Sequence, residues 1–192
     1  ANGRRAVGVD PAAAMLEVAR ARTRNARWLE ADARDVWLDE RFDLIVLTGH
    51  AFQVFLTDQD RSAVLANVAR HLAPGGHFIF DTRNPLDDDW RTWTPDKSLR
   101  RIEHPHLGAI EAWNDVSGNP DTGIVTYQTH YRIAATGRLL SAKASQLAFL
   151  SRKDLSRQIS GAGLHVDTWY GNWSGDPCTA TSPEIIPFGR AR

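Results

Sequence analysis

Residues 42–47, Phe-Asp-Leu-Ile-Val-Leu, contain the unbroken apolar run Leu44-Ile45-Val46-Leu47. A run this short, next to polar residues, reads as a parallel strand buried on both faces. It sits inside an alternating series. Residues 6–9 (Ala-Val-Gly-Val) form another short apolar run ending at Asp10-Pro11, after which Met15, Leu16, Val18 and Ala19 fall at helical spacing. Asp10 is placed to N-cap that helix, with Pro11 as its first residue. Ala26–Glu30 reads as a second strand. Thr57 and Asp60 make a capping-box-like start for a helix with Val64, Leu65, Val68 and Leu72 on its apolar face. Pro74-Gly75-Gly76 stops that helix, and His77–Asp81 is the next strand. Strand, helix, strand, connection, strand, helix, strand is the order of a doubly wound, mostly parallel α/β sheet.

The pattern changes in the second half. Val125, Tyr127, Thr129, Tyr131 and Ile133 alternate with Thr126, Gln128, His130 and Arg132, a period of two. Ala109–Val116 and Leu139–Leu150 read as its partner strands, with turns at 119–123 and at Thr136-Gly137. Residues 99–150 are therefore expected to form an antiparallel β insertion, leaving 1–98 and 151–192 as the α/β core. Ser151 and Asp154 cap a last helix carrying Leu155 and Ile159, with Leu150 and Leu155 at hydrophobic-staple spacing. Gly163 ends it, and Leu164–Tyr170 and Glu184–Gly189 follow as strands. The loop between them, 171–183, is long enough to cover a site.

Composition removes several function classes. Across 192 residues, 23 Lys+Arg balance 23 Asp+Glu, so the chain lacks the basic excess of a general nucleic-acid binder. No apolar run approaches the roughly 20 residues of a membrane helix. The single cysteine, Cys178, excludes an internal disulfide, and no Cys/His cluster has zinc-site spacing. A cytoplasmic setting, no membrane and no metal are the expectation. His104 and His106 straddle Pro105 without a companion carboxylate pattern, and read as loop residues.

In doubly wound sheets, ligands bind at the carboxyl ends of the strands. Those ends carry Asp10, then Asp32-Ala33, then Thr48-Gly49-His50-Ala51-Phe52-Gln53, then Asp81-Thr82-Arg83-Asn84. A carboxylate can accept from paired ribose hydroxyls or from an amino group, so this set suits a nucleoside-bearing cofactor.

Gly8-Val9-Asp10-Pro11-(x)3-Met15-Leu16, Glu30-Ala31-Asp32-Ala33, Phe42-Asp43-Leu44-Ile45-Val46 and Leu72-Ala73-Pro74-Gly75-Gly76 together resemble class I S-adenosylmethionine-dependent methyltransferases. The resemblance covers most of residues 3–85 and is closest to small-molecule members. It implies a Rossmann-like sheet and S-adenosylmethionine as cofactor. Asp10 is then expected on the ribose hydroxyls, with Pro11 and Met15 against the adenine. Asp32 is expected on the adenine amino group, with Ala33 giving its backbone N–H. Thr48, Gly49 and His50 would lie beside the methionine portion and the methyl, His50 serving as base or orienter for the acceptor. Phe52 and Gln53 would flank cofactor or acceptor. Trp90, Trp93, Trp169 and Trp173 would wall an acceptor pocket, unless they simply pack.

The family also implies a first strand and glycine-rich loop before residues 6–9, a unit of roughly 25–30 residues. Only Ala1–Arg5 precede that strand here. Three arrangements accommodate this: a longer protein of which these residues are part, a second copy covering the exposed edge, or direct pairing of 6–9 with 43–48. The first is the expectation taken, with a homo-oligomer open. Two other functions fit part of the pattern. A nicotinamide dinucleotide oxidoreductase shares the acid at position 10, and a methyltransferase-like binding module would need no complete pocket. The expected partner is a small-molecule acceptor.

Overall fold

A computed structural model describes residues 4–119, 121–140 and 144–192. The first unit is β1 (Ala6–Asp10), α1 (Ala13–Arg22) and β2 (Ala26–Glu30). β1 and β2 pair in parallel, from Ala6 opposite Ala26 to Asp10 opposite Glu30. This is the parallel strand-helix-strand unit that the alternating pattern predicts. At Gly8 the Trp28 indole lies so close that a Cβ would overlap it, which accounts for glycine in the strand.

The second unit is β3 (Phe42–Leu47), a 3-10 turn (Ala51–Val54), α2 (Asp58–His71) and β4 (Leu72–Phe80). β3 and β4 are parallel. α2 starts as its sequence requires: the Thr57 hydroxyl accepts from the Asp60 N–H at 3.0 Å, and the acids Asp58 and Asp60 lie in the first turn.

Next come β5 (Thr82–Arg83), α3 (Pro95–Ser98), β6 (Arg100–His104), β7 (Gly108–Asn119), β8 (Ile124–Ile133), β9 (Leu139–Leu140) and β10 (Ala144–Ala148). α4 (Arg152–Gly161), β11 (Leu164–Tyr170) and β12 (Glu184–Ala191) close the chain. One sheet runs β11-β12-β4-β3, with β5 on β12; β12 is antiparallel to both β4 and β11. The main sheet is thus mixed, its parallel pairing confined to β3–β4. β10-β8-β7-β6 form an antiparallel sheet with β9 beside β8. Of the expected turn and strand residues there, Pro120 and 141–143 lie outside the described set.

The main core joins α2, α4 and the mixed sheet through Phe52, Val64, Leu65, Phe78, Phe80, Leu155, Ile159 and Ile185. Burying each such side chain contributes about 1.5–3 kcal/mol. Ser151 caps α4 by accepting from the Asp154 N–H at 3.1 Å, and Leu150 and Leu155 are both buried across that cap. A smaller core under the antiparallel sheet gathers Val125, Leu147 and Phe149, with Trp90, Trp93 and Tyr127 against it.

Three local expectations are corrected. Asp10 is not the N-cap of α1: Ala12 occupies that position, and Asp10, the last residue of β1, accepts from the Ala12 N–H at 2.8 Å. The chain spends Pro11 and Ala12 in turning before the helix begins. Pro74-Gly75-Gly76 does not end α2, which stops at His71. The triplet lies inside β4, where pairing jumps from Phe42–Leu72 to Leu44–His77. Gly75 takes the positive φ of 77° needed for that bulge. Finally, β3 is not buried on both faces. It pairs only with β4 among the described residues, and Leu44 and Val46 are about half exposed, at 51% and 46%. Nor do β1 and β3 pair with each other, so direct closure of the two strands is not the arrangement adopted.

Candidate active site

A cleft of about 830 Å³ separates the β1–β2 unit from β3 and α2. That is within the range of small-molecule and cofactor sites. Asp10, Pro11 and Met15 line one side, Asp32 and Ala33 another, and Thr48 the end of β3. Six of the residues expected at the cofactor therefore border one cavity. Gly49, Phe52 and Gln53 do not. Phe52 is fully buried, stacked on Phe80 at 4.5 Å. Its placement beside the cofactor is corrected: the 3-10 turn aims the ring into the core, where an apolar ring gains most.

Elements far apart in sequence position the acids. The loop after β2 is held by α2: buried Asn67 donates to the carbonyls of Ala33 and Val36 at 3.0 and 2.9 Å. His71 Nε2 takes the Leu38 N–H at 3.1 Å. Asp32 is clasped by Arg34, whose Nε meets Oδ1 at 3.0 Å and whose Nη2 meets Oδ2 at 2.7 Å. Nη1 of the same guanidinium reaches Asp60 Oδ1 at 2.8 Å. These bonds hold the Asp32 and Asp60 carboxyls below the usual carboxylate range and raise Arg34 above the arginine range. Asp10 Oδ1 accepts from the Ala12 N–H, and among the described residues Oδ2 has no hydrogen-bond partner.

The second cluster lies at the carboxyl ends of β3 and β4 and at the start of β12. His50 follows Thr48-Gly49 with φ of 60°, a left-handed conformation that costs a non-glycine residue about 1–3 kcal/mol. Its backbone N–H donates to Asp81 Oδ1 at 3.2 Å. Its Nε2 lies 2.9 Å from Glu184 Oε1 and 3.5 Å from Asp81 Oδ2. Asp81 is buried, and the ligand atoms of His50, Asp81 and Glu184 all lie within 4.8 Å of one another, close enough for one divalent ion to meet all three. Glu184 had no signal in the sequence: it stands 134 residues from His50.

Gln53 also turns inward. Fully buried, it donates from Nε2 to the Ala148 carbonyl at 3.1 Å and accepts on Oε1 from the Arg83 backbone and Nη1 at 3.3 and 3.1 Å. Burial pushes the Arg83 guanidinium below the usual arginine range, opposed by Asp89, Tyr127, Asp81 and Glu184. Its face lies over Trp93 at 4.8 Å. Trp90 and Trp93 both pack on the smaller core, whereas Trp169 packs on the main core beneath Arg152 and Trp173 is half exposed. The four tryptophans do not form one wall. Burial pushes the Cys178 thiol up, the opposite of what a nucleophile needs.

Residues 1–76 match the family model described as a methyltransferase domain. The cypemycin N-terminal methyltransferase of a Streptomyces species is 27% identical over 187 residues, covering 96% of this chain and 73% of that protein. An S-adenosylmethionine-dependent methyltransferase from Clostridium acetobutylicum superposes with a TM-score of 0.81 at 14% identity, over 98% of this chain and 75% of that one. The chain has the fold of class I S-adenosylmethionine-dependent methyltransferases, and its first 76 residues match a methyltransferase domain. The sugar N-methyltransferase KedS8 of a Streptoalloteichus species has the same fold, with a TM-score of 0.72 at 17% identity over 97% of this chain and 71% of that one. S-adenosylmethionine is the cofactor these similarities support, and they do not favour the nicotinamide reading. The donor set fits such a molecule: carboxylates for hydroxyl and amino groups, beside the apolar Pro11, Met15 and Ala33. Among the described residues, no helix is long and apolar enough to cross a membrane.

Proposed function

We propose that this methyltransferase acts on a nitrogen of a small-molecule acceptor, with His50 at the reacting centre. The observation that carries the reading is the contact of His50 Nε2 with Glu184 at 2.9 Å and with Asp81 at 3.5 Å. When bound, S-adenosylmethionine supplies an electrophilic methyl on a sulfonium. The chain's own task is to hold the acceptor in line and make its lone pair available.

An aliphatic amine is protonated at neutral pH, with a pKa near 10 for an ordinary ammonium. Two carboxylates and an imidazole at one strand-end favour an ammonium and can take its proton before transfer. An alcohol acceptor has no charge for these acids to hold. The names of two relatives, an N-terminal methyltransferase and a sugar N-methyltransferase, point the same way. In the cleft, Asp10 takes the ribose hydroxyls, Pro11 and Met15 flank the adenine, and Asp32 with the Ala33 N–H reads its edge. Asp32 Oδ2 accepts once from Arg34 and keeps a lone pair for an amino group. Thr48 borders the methionine portion.

The test is calorimetry with S-adenosylhomocysteine, followed by methyl-transfer assays on matched amine and alcohol acceptors. Heat of binding and transfer to amines alone are expected. Transfer to alcohols at comparable rates, or no heat with the cofactor product, would overturn the reading.

A further inference from the structure

We propose that Arg83 anchors an anionic oxygen group, a carboxylate or a phosphate, on the methyl acceptor. The inference rests on the reading of the chain as a small-molecule methyltransferase and adds a second recognition point to the His50 centre.

Arg83 is half buried, yet among the described residues no carboxylate oxygen lies within 4 Å of its guanidinium nitrogens. The acids nearest in effect are otherwise engaged: Asp81 and Glu184 hold His50, and Asp89 Oδ2 accepts from Trp93 Nε1 at 3.1 Å. A guanidinium taken partly out of water without a contact counter-ion is unfavourable by itself. The surroundings nonetheless hold it firmly. Gln53 grips the Arg83 backbone and Nη1 through one oxygen, and cannot turn away because its amide nitrogen is committed to Ala148. Trp93 covers one face of the fork, and is itself braced by the Tyr127 edge at 5.7 Å and by Phe149 at 6.5 Å. Two braced groups, Gln53 and Trp93, thus orient one cation whose Nε and Nη2 have no protein hydrogen bond among the described residues. That planar edge matches a carboxylate or phosphate, which accept two parallel N–H bonds.

The location fits an acceptor rather than the cofactor. Arg83 is two residues beyond Asp81, on β5 opposite Glu184 of β12. It stands between the His50 cluster and the aromatic residues under the antiparallel sheet, and does not border the cleft that Asp10 and Asp32 line. The acceptor so defined carries a basic nitrogen and an acid group, as in an amino acid or a phosphorylated amine.

Phenylacetate, phenyl phosphate and neutral phenylacetamide serve as probes, titrated by calorimetry into the wild type, Arg83→Met and Arg83→Lys. In the wild type, at least one anionic probe is expected to bind about tenfold or more tightly than the amide, as for a charge-assisted bond. Arg83→Met removes that preference and Arg83→Lys retains part of it. Preference for phenylacetate names a carboxylate, and preference for phenyl phosphate a phosphate. Equal binding of amide and anions by the wild type, or a preference that survives in Arg83→Met, overturns the proposal. The wild-type comparison decides the matter even if a variant does not fold. Heat with S-adenosylhomocysteine, read separately, distinguishes this failure from failure of the methyltransferase reading.

Discussion

His50 and Glu184 meet at 2.9 Å across 134 residues of chain, one at the end of β3 and the other at the start of β12. Glu184 is placed because β12 lies beside both β4 and β5, pairing with Arg83 in register. Such a contact fixes ring orientation and stabilises whichever form carries the proton on Nε2.

Glu184→Gln keeps the shape and removes the charge. Methyl transfer is expected to fall about tenfold or more, the size of a charge-assisted hydrogen bond of roughly 1.5–3 kcal/mol. The pH profile of kcat moves with it, while the affinity for S-adenosylhomocysteine stays put. A purely structural role for Glu184 would lower the melting temperature and leave the profile where it was.

Asp10 has two duties, and two variants separate them. Asp10→Asn keeps an acceptor for the Ala12 N–H but loses the charge offered to paired hydroxyls. Asp10→Ala loses both. Calorimetry with S-adenosylhomocysteine is expected to show roughly tenfold to hundredfold weaker binding for Asp10→Ala. Asp10→Asn should lie between it and wild type, with its melting temperature unchanged. Equal affinities across the three proteins would remove Asp10 from the cofactor site.

What the sequence made legible was local. β2 and β3 match their expected bounds because turns and alternation lie within a few residues. Thr57 and Ser151 cap as expected because a cap is a four-residue event. Burial was harder to read. The run at 44–47 looks buried on both faces, yet an apolar residue is covered only if a neighbour comes to it, and among the described residues Leu44 and Val46 stay about half exposed. Phe52 and Gln53 follow the expected strand end but turn inward, one to pack on Phe80 and the other to hold Arg83. Glu184 was invisible because its role depends on sheet topology, not on any residue near it in sequence.

Arg34 makes the loop after β2 sensitive to acid. It keeps the Asp32 and Asp60 carboxyls below their ordinary values, so the contribution of these pairs is complete above the unfolded carboxylate pKa. It is lost as pH falls through the lower folded values, roughly from pH 4 downward. Both acid side chains are only partly buried, so solvent screening keeps the effect modest. Urea midpoints measured against pH should fall less steeply below pH 4 in Arg34→Ala than in wild type. Parallel curves would mean that the clasp contributes nothing to stability.

The contrast between Phe52 and Leu44 gives the sharpest test of the packing. Both are apolar and lie eight residues apart, but Phe52 is 0% exposed and Leu44 51%. Phe52→Ala empties a site walled by Phe80 and Phe55, where relaxation is limited by the rigid sheet beneath. A cost of about 3–5 kcal/mol is expected. Leu44→Ala removes a side chain already half in water, and should cost less than about 1.5 kcal/mol, the transfer value for half of a leucine. Chemical denaturation of the two variants measures both. Comparable losses would show that Leu44 is covered in solution by something that packs against the free edge of β3.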